Sequence, residues 1–114
     1  MIRIYHNPRC SKSRATLALL QERKIEPEIV TYLDNPPTAK ELKTVLSHLG
    51  LSARELMRKG EDVYKTENLD NEKLTEDQLI AAMVANPILI ERPIVINGKK
   101  ATLGRPPEQV LEIL

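Results

Sequence analysis

The sequence lacks phenylalanine and tryptophan, and it contains one cysteine in 114 residues. Without these large aromatic rings, the core must be built mainly from leucine, isoleucine, valine and alanine. The single cysteine, Cys10, excludes an intrachain disulfide and any metal site that needs several cysteines. The length is typical of one domain, so we expect residues 1–114 to fold as a single domain.

Neither sign of charge dominates, since the sequence contains 17 lysines and arginines and 16 acidic residues, for a formal net charge of +1. Nucleic-acid-binding proteins usually carry a strong basic excess, so we expect no nucleic-acid partner. No apolar run is long enough to span a bilayer, and residues 1–5 lack the apolar stretch of a signal peptide. We therefore expect no membrane association and a cytoplasmic location, where thiols stay reduced.

The N-terminal third alternates strand and helix signals. Ile2–Tyr5 is predicted to be a strand, and His6–Cys10 a loop, because Asn-Pro favours a turn. Ser11–Arg23 is predicted to be a helix that opens with hydroxyl residues able to cap it. Glu28–Tyr32 is predicted to be a second strand.

Three capping boxes mark a helical middle region. They pair Thr38 with Glu41, Ser52 with Glu55, and Thr75 with Gln78. The first predicts a helix that Gly50 ends. The others predict helices over Ser52–Lys59 and Glu76–Ala85, and the polar stretch Gly60–Leu74 is predicted to be irregular.

The C-terminal part returns to strands. Asn97-Gly98 is a strong hairpin signal between predicted strands Pro93–Ile96 and Lys99–Leu103. Pro107–Leu114 is predicted to be a final helix, because proline suits a first helical turn. The order β-α-β, helices, β-β-α predicts an α/β fold of thioredoxin-like type. We expect a small mixed four-stranded sheet flanked by helices, with a helical insert between strands 2 and 3.

Cys10 lies between a predicted strand and a predicted helix. The free N–H groups and the dipole at a helix N-terminus favour negative charge, and Arg9, Lys12 and Arg14 add positive potential. Such a setting favours the thiolate, the nucleophilic form of cysteine, and it would also hold an oxyanion. From position alone, a reactive thiol and a small buried apolar residue both remain open.

Several segments resemble the glutaredoxin-linked arsenate reductase family, the ArsC family. Its active-site loop is similar to His6-Asn7-Pro8-Arg9-Cys10-Ser11-Lys12-Ser13-Arg14-Ala15-Thr16-Leu17. The resemblance continues, in order, at residues 32–37, 56–59, 87–95 and 104–106, and so spans almost the whole chain. It implies reduction of arsenate to arsenite through a Cys10 adduct, with glutathione as co-substrate, glutaredoxin as partner and no bound cofactor. We expect a monomer.

The resemblance also implies an oxyanion site of three arginines, Arg58, Arg92 and Arg105. A guanidinium group stays charged and can donate two parallel hydrogen bonds to an oxyanion. Without the resemblance, Arg58 and Arg105 would equally fit exposed surface positions. Arg92 differs, because it interrupts an apolar stretch in which a charge is costly unless paired.

Three further residues of the loop are candidates for the site. His6 would tune the Cys10 thiolate or orient the loop, and Ser13 would donate a hydrogen bond to the thiolate or cap the helix. Lys12 would add a charge at the oxyanion, since Ser11-Lys12 replaces the Gly-Thr of well-studied family members. Pro93 resembles the cis-proline of thioredoxin-like proteins, although a trans bond is the default for an X-Pro pair.

Two other functions compete with arsenate reduction. The chain also resembles Spx-type regulators, which bind RNA polymerase. Those that sense redox state generally carry a C-x-x-C pair, and Ser13 occupies the second cysteine position here. The other alternative is a glutathione-dependent thiol oxidoreductase that does not act on arsenate.

Overall fold

The computed structural model describes residues 2–114. The chain divides into two compact units. The first, the sheet unit, contains the residues up to Asn35 together with Arg92–Leu114. The second, the helical unit, is Pro36–Glu91.

The sheet unit is built on four strands. They are β1 (Ile2–Tyr5), β2 (Glu28–Val30), β3 (Ile94–Asn97) and β4 (Lys100–Leu103), in the spatial order β2-β1-β3-β4. β1 pairs in parallel with β2 and antiparallel with β3, which itself pairs antiparallel with β4. A parallel pair needs a long crossover connection, and helix α1 (Ser11–Glu22) supplies it. The predicted mixed four-stranded sheet is confirmed.

The core of the sheet unit joins strands to helices. One cluster of this core consists of four fully buried residues, Ile4, Leu20, Val95 and Val110. Val110 belongs to a C-terminal 3-10 helix, Pro107–Ile113, which packs against α1 and β4. The sequence predicted a helix over Pro107–Leu114, and the helix that forms is of the 3-10 type. The Gln109 N–H donates to the Pro106 carbonyl three residues earlier, as a 3-10 helix requires.

The helical unit contains four α-helices and a short 3-10 helix. They are α2 (Ala39–Leu49), α3 (Ala53–Leu56), α4 (Asp62–Thr66), α5 (Glu76–Ala85) and the 3-10 helix Pro87–Leu89. Both α2 and α3 pack against α5. All three predicted capping boxes are present, at Thr38, Ser52 and Thr75. Gly50 ends α2 with a φ of 70°, a left-handed conformation that glycine adopts without strain.

Two predictions in this unit are wrong. α3 ends at Leu56 and not at Lys59, because Met57 is extended and forms a β-bridge with Ile90. The stretch Gly60–Leu74, predicted to be irregular, contains the helix α4. This helix has only five residues and no side chain caps its N-terminus, so the sequence carries no signal for where it begins.

The remaining differences are small shifts at the ends of elements. β2 ends at Val30 and not at Tyr32, since the Tyr32 N–H turns back to the Val30 carbonyl. The predicted hairpin is confirmed, with Gly98 at a φ of 64° and Asn97 paired with Lys100. No helix of residues 2–114 combines the length and the apolar character needed to cross a membrane.

Candidate functional site

Cys10 occupies the N-cap position of α1. Its φ of −92° and ψ of 123° are extended, so the chain changes from loop to helix at this residue. Its N–H donates to the Asn7 carbonyl over 3.0 Å, and its own carbonyl accepts from the Arg14 N–H over 3.0 Å. The half-buried thiol does not cap the helix. The first N–H groups of a helix have no partner within it, so this side chain begins where an anion is favoured.

A buried hydrogen-bond network lies under the loop. His6 Nδ1 and Ser13 Oγ are 2.7 Å apart, and the Asn7 N–H donates to the same Ser13 oxygen over 3.0 Å. Ser13 is fully buried and His6 is 8% exposed. The network joins the first residue of the loop to the first turn of α1, and it thereby fixes the path of the chain through Cys10.

The charge of His6 is set by its surroundings. Burial lowers the pKa of His6 below its ordinary value of 6.5, and the positive charge of Arg14 lowers it further. His6 is therefore neutral near pH 7. Arg14 also donates from Nη1 to the Pro8 carbonyl over 3.0 Å, which holds this cation against the loop. The sequence placed Arg14 among the nearby cations but did not single it out for this contact.

Ser13 was predicted to donate to the Cys10 thiolate or to cap the helix. Its hydroxyl oxygen is engaged with His6 and Asn7, and no hydrogen bond links it to Cys10 among residues 2–114. Lys12 is exposed in the first turn of α1, and its side chain makes no hydrogen bond or ion pair with any of residues 2–114. The roles of both residues toward the thiolate and the oxyanion stay predictions.

The structure brings Arg92 and Arg105 together in the sheet unit. Arg105 Nη1 donates to the main-chain carbonyl of Arg92 over 2.9 Å, and Nε and Nη1 of Arg92 are buried. The Gly104 N–H donates to the Pro93 carbonyl over 3.0 Å, so the two segments are also joined through their backbones. Both arginines precede a cis peptide bond, at Pro93 and at Pro106. The cis bond at Pro93 agrees with the resemblance rather than with the trans default.

Arg58 belongs to the helical unit and is held there by two carboxylates. Its Nη1 lies 3.1 Å from Glu61 Oε2, and its Nε lies 3.5 Å from Glu91 Oε1. Its backbone N–H donates to the Leu89 carbonyl over 2.7 Å, beside the bridge between Met57 and Ile90. Arg58 is thus a fixed, half-buried cation rather than a freely solvated one.

Metal ligands do not cluster in the part of the chain that the structure describes. No three His, Cys, Asp or Glu side chains of residues 2–114 are grouped so as to hold a metal ion. The loop and the first turn of α1 contain a thiol, a neutral imidazole and the guanidinium group of Arg14. These suit nucleophilic attack on an anion.

Comparison with known proteins places this arrangement in a family. A model described as the ArsC family matches residues 5–113. The chain is 53% identical to an arsenate reductase of Neisseria meningitidis serogroup B, over 99% of this chain and 97% of that protein. It is 60% identical to a protein of Escherichia coli strain K12 named only as uncharacterized protein YfgD, over 99% and 96%.

A solved structure shows the same fold. The structure of an arsenate reductase from Vibrio cholerae matches with a TM-score of 0.97 and 53% identity, covering 99% of this chain and 97% of that one. With the family model and relatives at this identity, the chain belongs to the ArsC family, and its fold is the thioredoxin-like one of that family.

Proposed function

We propose that this member of the ArsC family reduces arsenate to arsenite, with Cys10 as the nucleophile and with glutathione and glutaredoxin as the source of electrons. The relatives named arsenate reductases support the reaction. The observation that carries the proposal is the position of Cys10. Its half-buried side chain projects from the N-cap of a 12-residue helix, with the cation of Arg14 bonded to the same loop.

The first step is attack on the oxyanion. The Cys10 thiolate attacks arsenic, a sulfur–arsenic bond forms, and hydroxide leaves and takes up a proton as water. Arsenic remains in oxidation state +5. The helix N-terminus stabilises both the thiolate and the arsenate oxygens, because unpaired N–H groups and the helix dipole favour negative charge.

Arg92, Arg105 and Arg58 are proposed to bind the arsenate oxygens. Guanidinium groups fixed in advance stabilise charge better than groups that must reorganise during the reaction. Arg105 is fixed by its bond to the Arg92 carbonyl, and Arg58 by Glu61 and Glu91. Lys12, exposed in the first turn of α1, is proposed to add a further positive charge.

The reduction needs a thiol from outside the chain, because Cys10 is the sole cysteine. Glutathione attacks the arsenic of the adduct, forms a second sulfur–arsenic bond and displaces a second hydroxide. A glutaredoxin thiolate then attacks the glutathione sulfur and forms a disulfide. The electron pair of the broken sulfur–arsenic bond stays on arsenic, which becomes +3, and hydrolysis of the Cys10–arsenic bond releases arsenite and restores the thiol.

His6 and Ser13 are proposed to position this loop. When His6 Nδ1 is unprotonated, the Ser13 hydroxyl donates to it and accepts from the Asn7 N–H.

We propose that the chain works as a monomer in the cytoplasm, where glutathione is abundant and thiols are reduced.

A coupled assay tests the function. NADPH consumption is followed with arsenate, glutathione, glutaredoxin and glutathione reductase, and we expect arsenate-dependent turnover that Cys10→Ser abolishes. Turnover that survives Cys10→Ser would rule out the mechanism. Reduction of a glutathione mixed disulfide without any turnover of arsenate would favour the thiol oxidoreductase instead.

A further inference from the structure

A hollow of about 330 Å³ opens beside the loop that leads to Cys10. Asn7, Pro8 and Arg9 form one wall, and Leu33 and Asp34, from the turn after β2, form the other. Cys10 directly follows this first wall in the sequence, and its N–H donates to the Asn7 carbonyl. None of the roles described above uses this hollow.

The lining of the hollow combines two opposite charges with an apolar surface. The side chains of Arg9 and Asp34 make no hydrogen bond or ion pair within residues 2–114, and so do not pair with each other. Pro8 and Leu33 add apolar surface to the lining, and Leu33 is 39% exposed. A hollow that offers a cation, an anion and apolar surface is complementary to a small zwitterion.

We propose that this hollow binds the thiol co-substrate, as a small peptide or amino-acid thiol that carries both a carboxylate and an ammonium group. Arg9 binds the carboxylate, for which a guanidinium offers two parallel hydrogen bonds. Asp34 binds the ammonium group, and the carbon chain lies on Pro8 and Leu33. The proposal rests on the proposed function, in which an external thiol attacks the arsenic held on Cys10.

The size of the hollow favours a small thiol over a protein. Ligand pockets commonly measure about 300–1,000 Å³, and this one lies at the lower end of that range. Its position also suits the reaction, because Arg9 directly precedes Cys10. In the proposed arrangement, a thiol held by Arg9 and Asp34 presents its sulfur to the arsenic on Cys10.

Direct binding can be measured without arsenate. S-methylglutathione, which has both charges but no free thiol, is titrated into the ¹⁵N-labelled protein and the amide shifts are followed. We expect saturable shifts at Arg9, Leu33 and Asp34. Exposed charge pairs contribute modestly, so Arg9→Gln and Asp34→Asn should each weaken binding about threefold and the double variant about tenfold.

Matched controls remove equal charges elsewhere on the surface. Arg23→Gln and Asp70→Asn change exposed residues outside the hollow and should leave binding unchanged. The absence of saturable shifts at the hollow would overturn the proposal. So would control variants that weaken binding as much as the hollow variants do.

Kinetics separate the hollow from the chemistry of Cys10. At saturating arsenate, Asp34→Asn should raise the KM for glutathione about threefold and leave the KM for 2-mercaptoethanol, which carries neither charge, unchanged. An equal loss with both thiols would overturn the proposal, and so would a rise in the KM for glutaredoxin alone. Saturable binding without arsenate turnover would reject the proposed function, whereas turnover without any effect of the hollow variants would reject the hollow alone.

Discussion

Gly104 lies so close to Thr16 of α1 that any side chain at position 104 would have to displace its neighbours. A Cβ atom there would collide with the Thr16 hydroxyl oxygen, and it would stand 2.7 Å from Pro93 Cγ and 3.1 Å from Thr16 Cγ2. Thr16 is itself fully buried. This close approach lets the segment that carries Arg105 lie directly on the helix that begins at Cys10.

Gly104→Ala is therefore expected to destabilise the protein. Forcing an extra methyl group into a packed site costs about 1–3 kcal/mol, and we expect the free energy of unfolding in urea to fall by about that amount. Gly60→Ala is the control, since nothing lies within 4 Å of its Cβ position. A Gly104→Ala protein as stable as Gly60→Ala would contradict the close approach.

Thr16→Val should keep or raise stability. The buried Thr16 Oγ1 has no hydrogen-bond partner among residues 2–114, so replacing the hydroxyl by a methyl group removes an uncompensated polar atom. We expect a gain of up to about 1 kcal/mol. Thr38→Val is the contrast, because the Thr38 hydroxyl accepts from the Glu41 N–H and its loss should cost about 1 kcal/mol. Equal losses of stability in Thr16→Val and Thr38→Val would contradict the statement that only the Thr38 hydroxyl is hydrogen-bonded.

These contacts explain which features the sequence could predict. Capping boxes and the Asn97-Gly98 turn are local, so Thr38, Ser52 and Thr75 were assigned correctly from a few neighbouring residues. No local signal marks Gly104, because its constraint comes from Thr16, 88 positions away in a chain of 114 residues. The end of α3 was likewise missed, because Met57 pairs with the distant Ile90.

In the candidate site, too, the features set by neighbouring residues were predictable and the contacts between distant segments were not. Cys10 could be placed at a helix start from the turn residues around it, since those signals are adjacent in sequence. The engagement of Ser13 with His6, and of Arg58 with Glu91, depends on how separate segments pack. Charged side chains give no periodic signal for such partners, so the sequence could name the residues but not their contacts.

The stability of the protein should depend on pH through His6. Burial and the charge of Arg14 lower the pKa of His6 in the folded state, so the unfolded chain binds more protons below its ordinary pKa of about 6.5. The contribution of His6 to the free energy of unfolding is complete above about pH 6.5 and is lost as the pH falls from there through the lowered pKa of the folded state. Urea unfolding at pH 7.5, 6.5 and 5.5 should show the decline, and His6→Gln should make it shallower. An identical pH profile for both proteins would exclude His6 as the cause.

Arg14→Gln should raise the pKa of His6 toward its ordinary value. The charge of Arg14 is the smaller of the two causes of the shift, after burial, so the change should be partial. The pKa is read from the imidazole proton resonances as a function of pH. Arg23→Gln, at an exposed site, should leave the His6 titration unchanged, and an equal change in both variants would show that Arg14 has no specific effect.

Glu61→Gln should strengthen arsenate binding if Arg58 contacts the oxyanion. The Glu61 carboxylate lies 3.1 Å from Arg58 Nη1, where it offsets part of the positive charge that would attract arsenate. Its neutralisation should lower the KM for arsenate about two- to fivefold, the range expected of a partly exposed ion pair. Glu67→Gln removes an exposed carboxylate nearby in the sequence and serves as control. A higher KM in Glu61→Gln would show instead that Glu61 is needed to orient Arg58.

Arg92 provides the sharpest test of the electrostatic mechanism. If its guanidinium stabilises the thiolate and the arsenate oxygens, Arg92→Ala should slow alkylation of Cys10 by iodoacetamide at pH 7. It should also lower kcat/KM for arsenate about a hundredfold, as the loss of one fixed donor typically does. Because Nε and Nη1 of Arg92 are buried, the alanine variant would leave a void, so Arg92→Lys is measured beside it. The lysine keeps the charge but not the paired donors, so it should restore the alkylation rate more fully than the turnover of arsenate. A folded Arg92→Ala protein with the alkylation rate of the wild type would refute the role of Arg92 at the thiol.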